Sequence, residues 1–228
     1  MYIENLGEIK AIGFDIDGTL YRSIPMYLSM FFHVIGNART YIAYNKVRKE
    51  LHKSGNYENF RQVQAEKTGA LLKISAEEAE KLLDKVVYEG MKPYFLKLKT
   101  CSDSIELIRD LKAAGFKIAL LSDFPPEQKG DIWGIRDICD VILGTEAVGA
   151  LKPSPLPFLK MAEALGVAPE EILYVGNSLK YDVGGSQKAG MKAAWLKNPF
   201  KALAGKDYAD FSFWHFKELR KLLLSKTK

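Results

Sequence analysis

The sequence predicts an α/β fold: a parallel sheet with helices on both faces, interrupted after its first strand by an all-helical insertion. Three observations point there. Short apolar runs recur, namely IKAIGFDI (9–16), FKIALLS (116–122), DVILGT (140–145), ILYVG (172–176) and KAAWL (192–196). From about residue 100 they alternate with segments of helical period, the pattern of parallel strands joined by crossover helices. Between the first run and the second, no stretch reads convincingly as a strand. The expected division is a discontinuous α/β core, residues 1–21 and 100–228, around a helical domain, residues 22–99.

Each element has its own reason. The first strand stops at DGT, a turn signal. IPMYLSMFFHVIG (24–36) is the most apolar stretch. It is too short to span a bilayer, and it reads as a buried helix. Residues 31–52 carry a weaker helical pattern in Val34, Ala38, Tyr41, Ile42 and Leu51, and KSGNYEN (53–59) breaks it. SAEEAEKLLDKVVYEG is the clearest helix. Ser75 and Glu78 form a capping box, Ala79, Leu82, Leu83, Val86 and Val87 share a face, and Gly90 suits a C-cap. Asp103 with Glu106 is expected to cap a helix whose apolar face is Ile105, Ile108 and Leu111, ended by Gly115. FPPEQ, after the second strand, could start a helix with its N–H groups toward an anion. Pro153 suits a helix start, which would place Lys152 near a helix N-terminus. A helix over 155–165 ends at Gly166, Pro169 begins a turn, and Gly190 stops a helix over 183–189.

Composition narrows the function. A chain of 228 residues with 47% hydrophobic residues can bury a sizeable core. The net charge is +5, but the lysines are dispersed, so nucleic-acid binding is not expected. Cys101 and Cys139 have no CxxC spacing and read as reduced thiols of a cytoplasmic protein. The N-terminus is a poor signal peptide, because Glu4, Glu8 and Asp15 interrupt it. No membrane partner is expected. His33, His52 and His215 are too scattered for a zinc site.

In such sheets ligands sit beyond the carboxyl ends of the strands. The first strand ends in Asp15 and Asp17, which point the same way while the chain stays extended. Paired carboxylates repel unless a cation or shared proton compensates. Gly18 lets the backbone turn and approach a ligand. The second strand ends in Ser122, a hydroxyl donor and acceptor. Lys152 follows the third strand. Asn177, Ser178 and Asp182 follow the fourth. Two acids, a hydroxyl, a lysine and a further acid suit phosphoryl transfer. A carboxylate can attack phosphorus, Mg²⁺ can neutralise the acids, and lysine can hold the phosphate oxygens.

FDIDGTL (14–20), LLSD (120–123), LKP (151–153) and VGNSLKYD (175–182) resemble, in order, the four motifs of the haloacid dehalogenase (HAD) superfamily. AGMKAAWL (189–196) also resembles the strand that usually follows the fourth motif. The resemblance implies a Rossmann-like core with a helical C1-type cap over 22–99. It implies an Mg²⁺-dependent phosphatase that hydrolyses a small phosphorylated metabolite through an aspartyl-phosphate. Asp15 would be the nucleophile and a metal ligand. Asp17 would be the acid/base, with its backbone carbonyl on the metal. Ser122, Asp123, Gly18 and Lys152 would surround the phosphate, and Lys152 would also pair with the nucleophile. Asp182 would hold the metal directly or through water.

Asn177 departs from the family pattern, which usually has an acid there. An amide oxygen ligates Mg²⁺ less strongly than a carboxylate. Asp15, Asp17, Asp182, Lys152 and Mg²⁺ sum to zero charge, and an aspartate at 177 would make that set negative. Other chemistries remain within the resemblance. A dehalogenase would not need Asp17. A phosphonatase would need a cap lysine, for which Lys46, Lys49 and Lys53 are candidates. A phosphomutase would share every core residue, and a non-catalytic binding protein would rest on Asn177 alone.

Overall fold

The computed structural model describes residues 1–3, 6–53, 55–198 and 207–224. A small antiparallel hairpin, β1 (Tyr2–Ile3) and β2 (Gly7–Glu8), precedes the main sheet. That sheet contains β3 (Ala11–Asp15), β4 (Lys117–Ser122), β5 (Val141–Gly144), β6 (Ile172–Gly176), β7 (Lys192–Leu196) and β8 (Phe211–Phe213). All its pairings are parallel, in the order β5-β4-β3-β6-β7-β8. The first strand of the pattern is thus central, and every residue of β3 is buried. Five apolar runs are found as strands within a residue or two of their expected bounds. β1, β2 and β8 are not legible in sequence, because two- or three-residue strands carry no periodicity.

The helices are α1 (Ser23–Gly36), α2 (Ala38–Leu51), α3 (Phe60–Leu72), α4 (Ala76–Leu83), α5 (Glu89–Phe95), α6 (Ser104–Ala113), α7 (Thr145–Val148), α8 (Leu156–Leu165), α9 (Gly184–Lys188) and α10 (Phe216–Leu224). Strand alternation sorts side chains to the two sheet faces. Ile12, Phe14, Ile118, Leu120, Leu173 and Val175 pack with Leu107, Ile108 and Leu111 of α6 and Leu219 of α10. Ala11, Ala119, Leu121, Ile172 and Tyr174 pack with Phe158, Met161 and Leu165 of α8. Each fully buried Leu or Phe contributes roughly 2 kcal/mol.

Helices α1 to α5 fill the interval between β3 and α6. Tyr21 and Thr100 meet as an isolated antiparallel bridge, and Cys101 N donates to Leu20 O at 2.7 Å. The chain therefore leaves the sheet and returns to it at one point. Among the described residues no helix is long and apolar enough to cross a membrane.

Several local expectations fail for physical reasons. The 24–36 stretch is helical but not buried: only Met26 and Met30 of α1 are covered. The capping box at Ser75 and Glu78 is present. The helix it starts does not end at Gly90. It passes through a π-helical turn, Asp84–Tyr88, and continues as α5 with Pro93 inside. The carbonyls loosened there find distant donors. His33 Nε2 and Tyr41 Oη meet Val86 O, and Gln128 Nε2 donates to Val87 O and Tyr88 O. Asp103 precedes α6 with φ of 63°, and its side chain caps nothing. FPPEQ does not start an α-helix; Pro126–Lys129 is one short 3₁₀ turn. The helix expected at Pro153 begins at Leu156 instead. Lys152 therefore sits in a loop, ahead of a cis peptide bond to Pro153.

The helical interval is also keyed to the sheet at Gly149. Tyr57 N donates to Gly149 O at 2.8 Å. Gly149 has φ of +86°, and a Cβ there would stand 2.2 Å from the Tyr57 carbonyl oxygen. Backbone cannot yield as a flexible side chain can. Gly149→Ala is expected to lower unfolding stability by about 3 kcal/mol. Urea denaturation measures this, and an unchanged midpoint would show that the junction is not tight.

Candidate active site

The carboxyl ends of β3, β4 and β6 bring the chemistry-bearing side chains together. Lys152, from the loop after α7, reaches under them. Its Nζ lies 2.7 Å from Asp15 Oδ1 and 2.7 Å from Asp182 Oδ1. All three residues are buried. Burial disfavours the ammonium, but Asp15 and Asp182 outweigh it and hold Lys152 well above the ordinary lysine value. Thr19 Oγ1 donates to Asp15 Oδ2 at 2.6 Å. Burial pushes the Asp15 carboxyl up to about 7 against the pull of Lys152, with Asp182 and Asp17 adding repulsion. Burial is thus the larger influence on Asp15, and the lysine only partly offsets it.

Asp17 has a different environment. Its Oδ2 accepts from Ser122 Oγ at 2.5 Å, and its Oδ1 accepts from Tyr21 Oη at 2.5 Å. Lys129 Nζ stands 3.2 Å from Oδ1 and is completely buried. Burial alone would raise the Asp17 carboxyl, but Lys129, Ser122 and Tyr21 together hold it below the ordinary value. Lys129 was not singled out in the sequence. A lysine beside a Gln in a polar turn reads as solvent-facing. Here its ammonium also lies 4.8 Å from the Phe95 ring centre and 5.4 Å from that of Phe124.

Two expected phosphate contacts have other work in this structure. Ser122 is fully buried; its hydroxyl donates to Asp17 and accepts from Lys129 Nζ and Phe124 N. Asp123 Oδ1 accepts from Thr145 Oγ1 at 2.8 Å and from Lys152 N at 3.2 Å. It braces the lysine loop. The charge count also changes. With Lys129 included, three aspartates, two lysines and a divalent cation sum to +1, so an aspartate at 177 would bring that set to zero and not below it.

The fourth motif wraps back on itself. Asp182 Oδ2 accepts from Ser178 N at 2.9 Å across the π-helical turn Leu179–Val183. Asn177 packs on the first motif. Its amide nitrogen lies 2.1 Å from where a Gly18 Cβ would be, and Gly18 has φ of +92°. Gly18 thus serves both the turn and the seat for Asn177.

These groups line a cavity of about 300 Å³ between the strand ends and the helical interval. Asp15, Asp17, Lys152, Asn177 and Asp182 form its floor; Met26, Tyr27, Tyr44, Arg48 and His52 come from α1, α2 and the turn after it. The carboxylates and the amide are hard oxygen donors, a chemistry that fits Mg²⁺. Among the described residues no cluster of three or more Asp, Glu, His or Cys stands ready to hold a metal ion. Lys152 and Lys129 already engage the carboxylate oxygens.

Sequence reading also missed Arg48. From α2 it forms a buried salt bridge with Glu146 of α7, and its Nη2 donates to Asp123 O at 2.6 Å. Tyr88 Oη donates to the other Glu146 oxygen at 2.9 Å, and Gln64 Nε2 donates to Tyr88 Oη at 2.6 Å. His52 Nδ1 stands 2.6 Å from Lys152 O, so that nitrogen carries the proton. Its ring lies 4.8 Å from that of Tyr181. The helical interval thus touches the loop that carries the central lysine.

Known proteins resemble this chain over most of its length. The pattern of the haloacid dehalogenase-like hydrolases matches residues 9–190. The chain belongs to that family. It is 28% identical over 209 residues to the pyrophosphatase PpaX of Halalkalibacterium halodurans, covering 88% of each chain. It is 30% identical over 194 residues to a glyceraldehyde 3-phosphate phosphatase of Methanopyrus kandleri, covering 80% of this chain and 82% of that one. The crystal structure of a HAD phosphatase from Thermococcus onnurineus superposes with a TM-score of 0.63 at 28% identity, over 94% of this chain and 98% of that one. The Rossmann-like sheet read from the sequence is the family's fold.

The Arg48–Glu146 pair gives a direct test of the junction. Arg48→Met leaves a buried carboxylate unpaired and is expected to cost about 3–5 kcal/mol. The double variant Arg48→Met/Glu146→Leu removes both charges and is expected to recover most of that loss. Equal losses in single and double variants, read by chemical denaturation, would show that packing and not charge pairing holds the junction.

Proposed function

We propose that this chain is an Mg²⁺-dependent phosphatase that hydrolyses a small phosphorylated metabolite through an aspartyl-phosphate. The observation that carries the reading is Lys152 Nζ at 2.7 Å from both Asp15 and Asp182 on the cavity floor. A buried acid held by a lysine beneath an open pocket is a positioned nucleophile. Relatives named as phosphatases over most of their length support it.

In this reading one Asp15 oxygen attacks phosphorus, and the leaving-group oxygen departs with a proton from Asp17. Asp17 then takes a proton from water, whose oxygen attacks the phosphoryl group and restores Asp15. The hydrogen bonds to Asp17 keep it ionised before substrate arrives. A phosphate dianion entering above it would raise its proton affinity, so that Asp17 takes from solvent the proton it delivers and returns the one gained from water when phosphate leaves. Lys152 neutralises the phosphate oxygens and holds Asp15 in line. Mg²⁺ would supply charge neutralisation and orientation of the phosphate, held by Asp15, the Asp17 carbonyl, Asp182 and the Asn177 amide oxygen. Residues 22–99 would act as the cap that closes the pocket and selects the substrate.

A phosphonatase loses its motivating residues. Lys46, Lys49 and Lys53 are exposed, and none lines the cavity.

Two measurements test the reading. Wild-type protein with Mg²⁺ is expected to hydrolyse p-nitrophenyl phosphate, and Asp15→Asn to lose at least about a thousandfold in kcat. Equal turnover by both proteins would sink the proposal. Asn177→Asp is expected to tighten Mg²⁺ binding by about tenfold, because a carboxylate replaces an amide and brings the set with the metal from +1 to neutral. Unchanged or weaker affinity in a magnesium titration would remove Asn177 from the metal site.

A further inference from the structure

The most anomalous surface on this molecule is the outer face of α1. Ile24, Tyr27, Leu28, Phe31, Phe32 and Ile35 are all exposed, with Leu28 at 71% and Phe32 at 84%. They are not scattered. At 100° per residue they fall on one side of the helix, and Ile24, Leu28, Phe31 and Ile35 follow the 4-3-4 spacing of a helix–helix seam. The opposite side is committed. Met26 and Met30 are buried, and His33 Nε2 contacts Val86 O at 2.9 Å. The helix cannot roll to hide the stripe without breaking those contacts. Scattered exposed hydrophobics are ordinary, but a continuous stripe of six large ones marks an interaction site.

Charge and area identify the occupant. α1, SIPMYLSMFFHVIG, contains no Asp, Glu, Lys or Arg. A helix that rests in a lipid interface carries Lys or Arg along its own polar flanks, and α1 has none. A charged protein partner would find nothing to pair with. An uncharged stripe complements itself, which is the requirement of a two-fold contact between identical chains. With aromatic side chains burying about 150–250 Å² each when fully covered, the six offer on the order of 800 Å². That is what one partner contributes to a standard interface, about 800 Å². The aromatic-rich, charge-free composition is also that of an interface core.

We propose that α1 packs against α1 of a second copy of this chain, making the protein a homodimer about a two-fold axis. Phe32 and Leu28 are its central anchors. The contact lies beside the pocket. Tyr27 and Met26 line the cavity, and Met26 Sδ lies 3.3 Å from Tyr21 Oη. Pairing would fix the wall over Asp17.

Sedimentation or light scattering at micromolar concentration tests this on the full chain. Wild type is expected at twice the 25.6 kDa chain mass. Leu28→Glu/Phe32→Glu is expected at the monomer mass with an unchanged circular dichroism spectrum. Both side chains project into solvent, so folding should survive; if that pair misfolds, Phe32→Lys alone serves the same purpose. A monomeric wild type overturns the proposal, and so does a dimer that persists in the variants. Binding of monomeric wild type to phosphatidylserine-containing vesicles, lost in the variants, would assign the stripe to lipid instead.

Discussion

The centre of the carboxyl edge of this sheet is arranged around one buried ammonium. Lys152 stands between carboxylates from two different motifs, Asp15 and Asp182. In a low-dielectric setting neither acid nor base is stable alone. Removing Lys152 would leave two buried carboxylates with no cation between them. The surrounding structure is therefore committed to holding the loop at 152 in place. Asp123 binds its backbone nitrogen, and His52 meets its carbonyl. Asp123 in turn is held by Thr145 and by Arg48.

This chain of contacts ties the helical interval to the buried carboxylates. Gln128 and Lys129 are neighbours with opposite assignments. Gln128 satisfies the loosened carbonyls of the π-turn before α5, and Lys129 neutralises Asp17. Arg48 reaches from α2 to Glu146 of α7. A shift of α1 to α5 would strain both lysine loops. Polar contacts buried at such a junction fix geometry more than they add stability.

The two main acids show how environment divides similar groups. Asp15 and Asp17 are two residues apart and share a pocket. Asp15 is pushed up to about 7, because burial and its neighbouring acids outweigh Lys152. Asp17 is held low, because burial is outweighed by Lys129, Ser122 and Tyr21. The same side chain is thus driven in opposite directions by its partners.

The sequence by itself determined the parallel sheet, its helical interruption, and that Asp15, Asp17, Ser122, Asn177 and Asp182 follow strand ends, with Lys152 further along after the third. Those features are local: runs of apolar residues, turn signals and short motifs. Tertiary structure decided what no local pattern encodes. Lys129 and Arg48 look like surface cations until packing buries them against Asp17 and Glu146. Gly90 looks like a helix end until His33, Tyr41 and Gln128 supply donors to the carbonyls of that turn. The 24–36 helix looks like core, because its apolar residues surround the axis. Only the choice of which face meets the rest of the chain leaves Leu28 and Phe32 outside. Burial of a charge, satisfaction of a carbonyl and the partner of a helix face all depend on groups distant in sequence, so they exist only once the chain has folded.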